Sequence, residues 1–221
     1  MDTKKLIEEV LLDLGNNKSL TDVSSKIQII VRLLGDEKLK SWYTCEFVTG
    51  YKDQELPDYR ISRAVEIKAN YIVPQGFGAW TLSGQSVPVA NLGLEKYKEI
   101  MTVRFCDTVS TIIEYSKHPE DVAMSLSPYE QALVQKVLGE AHIQNVHKVL
   151  SPSTFQTIID NVQGRIIDMF MDMNERVFNG ELDLKSNSAK KEIHQVITNN
   201  ITAGIVQTGS GTIEANNATI A

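Results

Sequence analysis

Seven apolar side chains, Phe155, Ile159, Val162, Ile166, Met169, Met173 and Val177, recur every three or four residues across residues 155–177. That period is helical, and the stripe it draws can be buried only against other apolar faces. Ser151-Pro152 supplies the start, a hydroxyl cap followed by a proline at the first helical position, and Asn179-Gly180 supplies the stop. A long helix with an unbroken seam must pack among others, so the chain has to build a helical bundle around it.

The first fifty residues carry the same pattern. Leu6, Ile7, Val10, Leu11 and Leu14 form one helical stripe, ended by Gly15-Asn16-Asn17. Ser19 caps a second helix with Leu20, Val23, Ile27, Ile30 and Leu34 along one face; Gly35 ends it and Asp36 caps a third. That third helix turns Leu39, Trp42, Tyr43 and Phe47 inward and stops near Gly50, and joints this tight predict an antiparallel helical hairpin. Further on, Leu94, Tyr97, Met101, Phe105, Val109 and Ile112 predict one continuous core helix of roughly twenty residues, stopped at His118-Pro119. Ser127-Pro128 opens another helix, to about Leu138.

Between these elements the period changes. Val65, Ile67, Ala69, Tyr71 and Val73 alternate with Glu66, Lys68, Asn70 and Ile72, the signature of a half-buried strand. Glycines 76, 78 and 84 and prolines 74 and 88 punctuate the next stretch, predicting short strands around Ala79–Leu82 and Ser86–Ala90. The segment AMSL adds a candidate short strand, and EAHIQNVHKVLS fits a strand or a helix, with the strand favoured. The fold class is therefore α+β and mainly α-helical: a helical bundle with a small antiparallel β insert at about residues 63–90. The expected organisation is a globular domain at 1–180, a linker with a short helix near Glu192–Ile197 at 181–198, and a β-prone tail rich in Asn, Gly and Thr at 199–221. In that tail Val206, Ile213 and Ile220 recur every seven residues. A lone edge strand there would be unstable in water, so the pattern suggests pairing between copies in a homo-oligomer, against the blander reading of a low-complexity tail.

Composition removes several function classes. A net charge of −6 argues against nucleic-acid binding dominated by phosphate contacts, which needs a basic face, and leaves room only for a local basic patch. No apolar run reaches the roughly twenty residues of a membrane span, and the N-terminal stretch carries acids where a signal peptide is apolar, which places the protein in the cytoplasm. Cys45 and Cys106 both fall in predicted helices and read as buried thiols. On a strand, His142 and His147 would face opposite sides, a poor metal pair. No CxxC, HExxH, phosphate loop or GxSxG elbow is present, so no cofactor and no metal ligand set is assigned.

The segment with most chemistry is GYKDQELPDYR. Gly50 ends a helix, Leu56-Pro57 can pin the loop to apolar surface, and Arg60 can pair with Glu46 or Asp58. Its two readings are a structural clasp and a binding site formed by Trp42, Glu46, Tyr51, Asp58, Tyr59 and Arg60, residue types that carry binding energy when clustered.

These residues also carry a resemblance. The stretch LLGDEKLKSWYTCEFVTGYKDQELPDYR resembles the bacterial abortive-infection family AbiTii in its Leu34-Gly35-Asp36 break, Trp42, Glu46, Gly50-Tyr51 and Leu56-Pro57-Asp58-Tyr59-Arg60. A second match is VLSPSTFQTIIDNVQGRIIDMFMDM, and together the similarity spans about residues 18–178; Phe47 and Gln163 depart from the family pattern. The resemblance implies defence against bacteriophage and supplies no catalytic residues. The function expected is a non-enzymatic oligomeric sensor or scaffold, with an effector or phage protein as partner and the tail as an assembly handle. The rival is a metal-dependent effector enzyme acting on nucleic acid or nucleotides through Glu46, Asp53, Glu55 and Asp58. A third reading is a regulatory partner of a neighbouring effector.

Overall fold

The computed structural model describes residues 2–52, 54–179, 184, 186–202, 205–208 and 212–215, with the backbone alone at 202 and in the last two segments. In chain order its elements are α1 (Thr3–Gly15), α2 (Leu20–Leu34), α3 (Glu37–Thr44), β1 (Ile61–Ser62), β2 (Glu66–Gln75), β3 (Gly78–Ser86), α4 (Leu94–Ile100), β4 (Val103–Arg104), α5 (Val109–Ser116), β5 (Val122–Ser125), α6 (Pro128–Leu138), β6 (His142–Leu150), α7 (Pro152–Met173), α8 (Asn187–Thr202), β7 (Ile205–Thr208) and β8 (Thr212–Ala215). Single π-helical turns extend α3 through Cys45–Thr49 and α7 through Asn174–Phe178. The α+β, mainly helical class holds. The chain divides into two compact units, one built from residues up to Asp58, Cys106–Ile112 and the chain from Ile159 onward, the other from Tyr59–Phe105 and Ile113–Ile158.

The first unit is all helix over its core. Its helix starts follow the sequence: Asp2 accepts from the N–H of Lys4, Ser19 and Asp22 form a reciprocal capping box, and Asp36 accepts from the N–H of Leu39 at 2.9 Å. The stripes of α1 and α2 bury Ile7, Val10, Leu14, Val23, Ile27 and Ile30, and the two helices pack on each other. Val162, Ile166, Met169, Met173 and Val177 of the α7 seam are buried as its period requires. Instead of a short helix near 192–197, α8 runs over sixteen residues and buries Ala189, Ile193, Val196 and Ile197 while packing on α3. Arg165 donates to the carbonyl of Asn200 at 2.5 Å, placing a cation on the C-terminal end of α8. After α8, β7 and β8 pair antiparallel.

The second unit contains a four-stranded antiparallel sheet in the order β3-β2-β6-β5. The β2–β3 hairpin expected at 63–90 is thus half of a sheet completed by β5 and β6. Ile67, Ala69 and Val146 on one face form a core with Val87, Val89, Ile100, Leu126, Leu133 and Val134. In place of two short segments β3 is one strand, because Gly84 makes a bulge there: it takes φ +62, and its N–H donates to the Asn70 side chain at 2.6 Å. Residues Val89–Leu92 form a 3-10 turn where a strand was expected. A second register shift lies between Asn70 and Tyr71 on the β6 side, so His147 stands opposite Lys68 and His142 opposite Ile72. The bulge therefore puts both histidines on the same side of the sheet, against the alternation expected, roughly 13 Å apart at strand rise.

The expected continuous helix at 94–112 is two helices, α4 and α5, separated by β4. Its apolar spacing is helical throughout, yet the backbone of residues 103–106 bonds elsewhere. Residues Val103 and Arg104 pair with Ser62 and Ile61, and the N–H of Phe105 donates to the Arg60 carbonyl at 2.9 Å. Tertiary hydrogen bonds thus replace the helical ladder, and Phe105 instead meets Phe155 edge to face at 5.4 Å between ring centres. Cys106 consequently lies exposed outside any helix, unlike buried Cys45.

One buried ion pair stands inside the sheet core. The Lys148 ammonium donates to Glu130 at 2.6 Å and to the Thr102 carbonyl at 3.3 Å, with both side chains largely covered. Desolvation, the largest single influence on Glu130, pushes its carboxyl up. The hydrogen bonds from Lys148 and from the N–H and hydroxyl of Ser127 outweigh it and hold the group below the usual range. Lys148→Met should cost about 2–3 kcal/mol in urea unfolding at neutral pH, since it leaves a largely covered carboxylate without its cation. Because the folded value is depressed, the contribution is complete above the ordinary value of 4.5 and is lost as pH falls through the lowered one. The stability gap between wild type and variant should therefore close in acid.

Candidate functional site

The segment from Trp42 to Arg60 begins as regular helix and ends as a hook. The π-helical turn Cys45–Thr49 adds a residue to the last turn of α3 and brings Glu46 to a fully buried position. The Tyr51 hydroxyl, also buried, donates to the Glu46 carboxylate at 2.6 Å, a charge-assisted bond. Between them Gly50 reverses the chain at φ +72, and a Cβ there would overlap the carbonyl oxygen of Cys106. The next N–H, that of Tyr51, donates to that same carbonyl at 2.7 Å. Only a residue without a side chain lets the two backbones meet this closely.

Aromatic rings line the helix before the hook. Phe47 stacks on Tyr43 at 4.9 Å and meets Trp42 edge-on at 6.4 Å, while the Tyr43 hydroxyl donates to the Ser24 carbonyl at 3.2 Å. Burial pushes the Tyr43 phenol up; burial, followed by the negative charge of Glu46, pushes the Cys45 thiol up. Cys45 is therefore a protonated packing thiol, and its sulfur donates to the Gln54 side chain at 2.7 Å.

The six residues singled out from the sequence fall in both units. Trp42, Glu46 and Tyr51 are buried in the first, where Glu46 and Tyr51 are bonded to each other and Asp58 is exposed. Tyr59, half-buried, and Arg60, fully buried, belong to the second, where Asp58–Arg60 closes as a 3-10 turn leading into β1. Of the carboxylates considered for a metal-dependent enzyme, Glu46 is buried, Glu55 and Asp58 are exposed, and Asp53 lies outside the described residues. Among the described residues no three His, Cys, Asp or Glu side chains gather around a position for a metal ion. For the tail, Ile220 and the side chains of Val206 and Ile213 lie outside the described residues.

Two features escape a reading of the sequence. A cavity of about 230 Å³ beside Tyr59 is lined by Ile61, Ser62 and the hydroxyl-bearing start of α7, including Ser151, Ser153 and Thr154. Its only linear signal is the Ser-Pro-Ser-Thr run already accounted for as a helix start. The other is the buried Lys148–Glu130 pair, whose partners are eighteen residues apart on β6 and α6 and meet only because that helix packs on the sheet.

The AbiTii family model matches residues 5–198. The chain belongs to the AbiTii family. The match takes in the hook, the whole four-stranded sheet, α7 and most of α8, and the family name points to abortive-infection defence. No curated protein and no solved structure matches the chain. Among the described residues no helix of this AbiTii protein is long and apolar enough to cross a membrane.

The hook's contacts lead to a graded expectation. Gly50→Ala should lose at least about 2 kcal/mol in urea unfolding, from a positive φ and a displaced Cys106 carbonyl together. Tyr51→Phe keeps the ring and removes the hydroxyl that bonds Glu46, for a loss of about 1–3 kcal/mol. Equal stability of Gly50→Ala and wild type would contradict the close approach.

Proposed function

We propose that this AbiTii protein is a cytoplasmic antiphage defence protein that acts as an oligomeric sensor or scaffold, without chemistry of its own. The observation that carries the defence role is the family match over residues 5–198. The non-enzymatic part is supported by how the signature residues are used. Glu46 is held by Tyr51, Gly50 by its contact with the Cys106 backbone, and Arg60 is buried in a turn. Side chains so placed maintain a shape, and a shape can be read by a protein partner, here an effector or a phage protein. The tail beyond α8, with Val206, Ile213 and Ile220 at a seven-residue repeat, is the assembly handle in this reading.

The test compares full-length protein with protein truncated after Thr202, in phage-challenged cells and by mass in solution. The expected result is a smaller particle and lost protection, with the thermal midpoint of the remaining domain unchanged. Arg60→Ala is the companion variant: because Arg60 is fully buried, a folded protein that no longer protects would mean that the shape of the hook is what the partner reads. Turnover of nucleic acid or nucleotides by purified protein with Mg²⁺ or Mn²⁺, abolished by Glu46→Gln, would replace this reading with the enzymatic one.

A further inference from the structure

The β2–β3 hairpin outruns the core that it helps to cover. Register pairs Tyr71 with Leu82 and Val73 with Trp80, on the face that also carries Ile67 and Ala69. Ile67 and Ala69 are buried and Tyr71 packs against the edge of the same core. Beyond it the apolar row continues uncovered: Val73 is half-exposed, Trp80 is 64% exposed, and Phe77 at the hairpin turn is fully exposed. Pairing of β2 with β6 has by then ended at Ile72.

The outer side of β3 is equally bare. It is the terminal strand of the sheet, so among the described residues its outward N–H and C=O groups meet no further strand. Edge strands are ordinarily guarded by charges or prolines. Here residues 78–86 contain neither, and no Asp, Glu, Lys, Arg or His occurs between Lys68 and Glu95, the longest such stretch in the chain. In a molecule of net charge −6, identical copies repel one another over most of their surface. This hairpin is where two copies can meet with no like charges opposed, and that neutrality favours a second copy over a charged partner.

We infer that β3 pairs antiparallel with β3 of a second copy, joining two four-stranded sheets into one across a two-fold axis. The bulge at Gly84 ends the flat part of the edge, so pairing uses Gly78–Leu82 and is centred on Trp80. Antiparallel partners directly opposite one another share a face, so the two Trp80 rings meet across the axis and cover each other. The contact is isologous and therefore closes at two copies. It lies outside the tail and does not depend on the defence role.

Sedimentation equilibrium of the full chain over a wide concentration range tests it. The mass should approach twice the 24.7 kDa of one chain, with Trp80 becoming shielded from acrylamide quenching as the dimer fills. Trp80→Lys and Thr81→Lys, on opposite faces of the edge, should each weaken the dimer at least about tenfold while keeping the thermal midpoint of the dilute protein. Where the tail drives larger particles, these variants should still halve the mass. A wild-type chain that stays monomeric, or variants that associate as tightly as wild type, would overturn the inference. So would a monomer that binds uncharged lipid vesicles through Trp80, which would assign the hairpin to a lipid surface.

Discussion

The carbonyl oxygen of Cys106 is where the protein's signature segment is anchored. It accepts the N–H of Tyr51 and lies against Gly50, at a distance that no side chain at position 50 would permit. One residue earlier, the N–H of Phe105 is bound by the Arg60 carbonyl. Two neighbouring backbone groups thus satisfy partners from either end of the GYKDQELPDYR segment. A helix through residues 103–106 would consume both groups internally, so the hook and a continuous helix at 94–112 are mutually exclusive.

The buried polar groups follow the same economy. Glu46 reaches the interior through a π-helical turn and meets the Tyr51 hydroxyl; Lys148 crosses the sheet core to Glu130, which simultaneously caps α6 through Ser127. Both of these pairs are tied to an element terminus, the end of α3 and the start of α6. Such pairs add little net stability over an apolar replacement, but they penalise any register or cap that separates the partners. That penalty helps to select one arrangement.

Much of this was legible in the linear chain. The caps at Ser19, Asp36 and Ser127, the stripes of α1, α2 and α7, and the alternation of β2 are local signals, and each element stands where its signal lies. The hidden features are long-range. Residues 94–112 keep helical spacing but lose their ladder to Arg60 and Ser62, far away in sequence. Gly84 looks like a turn and works as a bulge; His142 and His147 change relative sides because of another bulge opposite Asn70. The candidate residues from Trp42 to Arg60 could be chosen from their types, whereas their burial, and so their bias toward holding the hook together, could not.

What the sequence determined by itself is the stripes of α1, α2 and α7, the capped starts of α2, α3 and α6, the alternation of β2, the α+β class and the family signature, because propensity, periodicity and capping act over a few residues. Only the tertiary structure decided that the β insert is half of a four-stranded sheet, that Gly50 must be glycine, and that Trp80 is left on an uncovered edge. Those outcomes depend on which distant backbone groups pair and on where the core runs out. A side chain's type does not say whether the surface opposite it will be present.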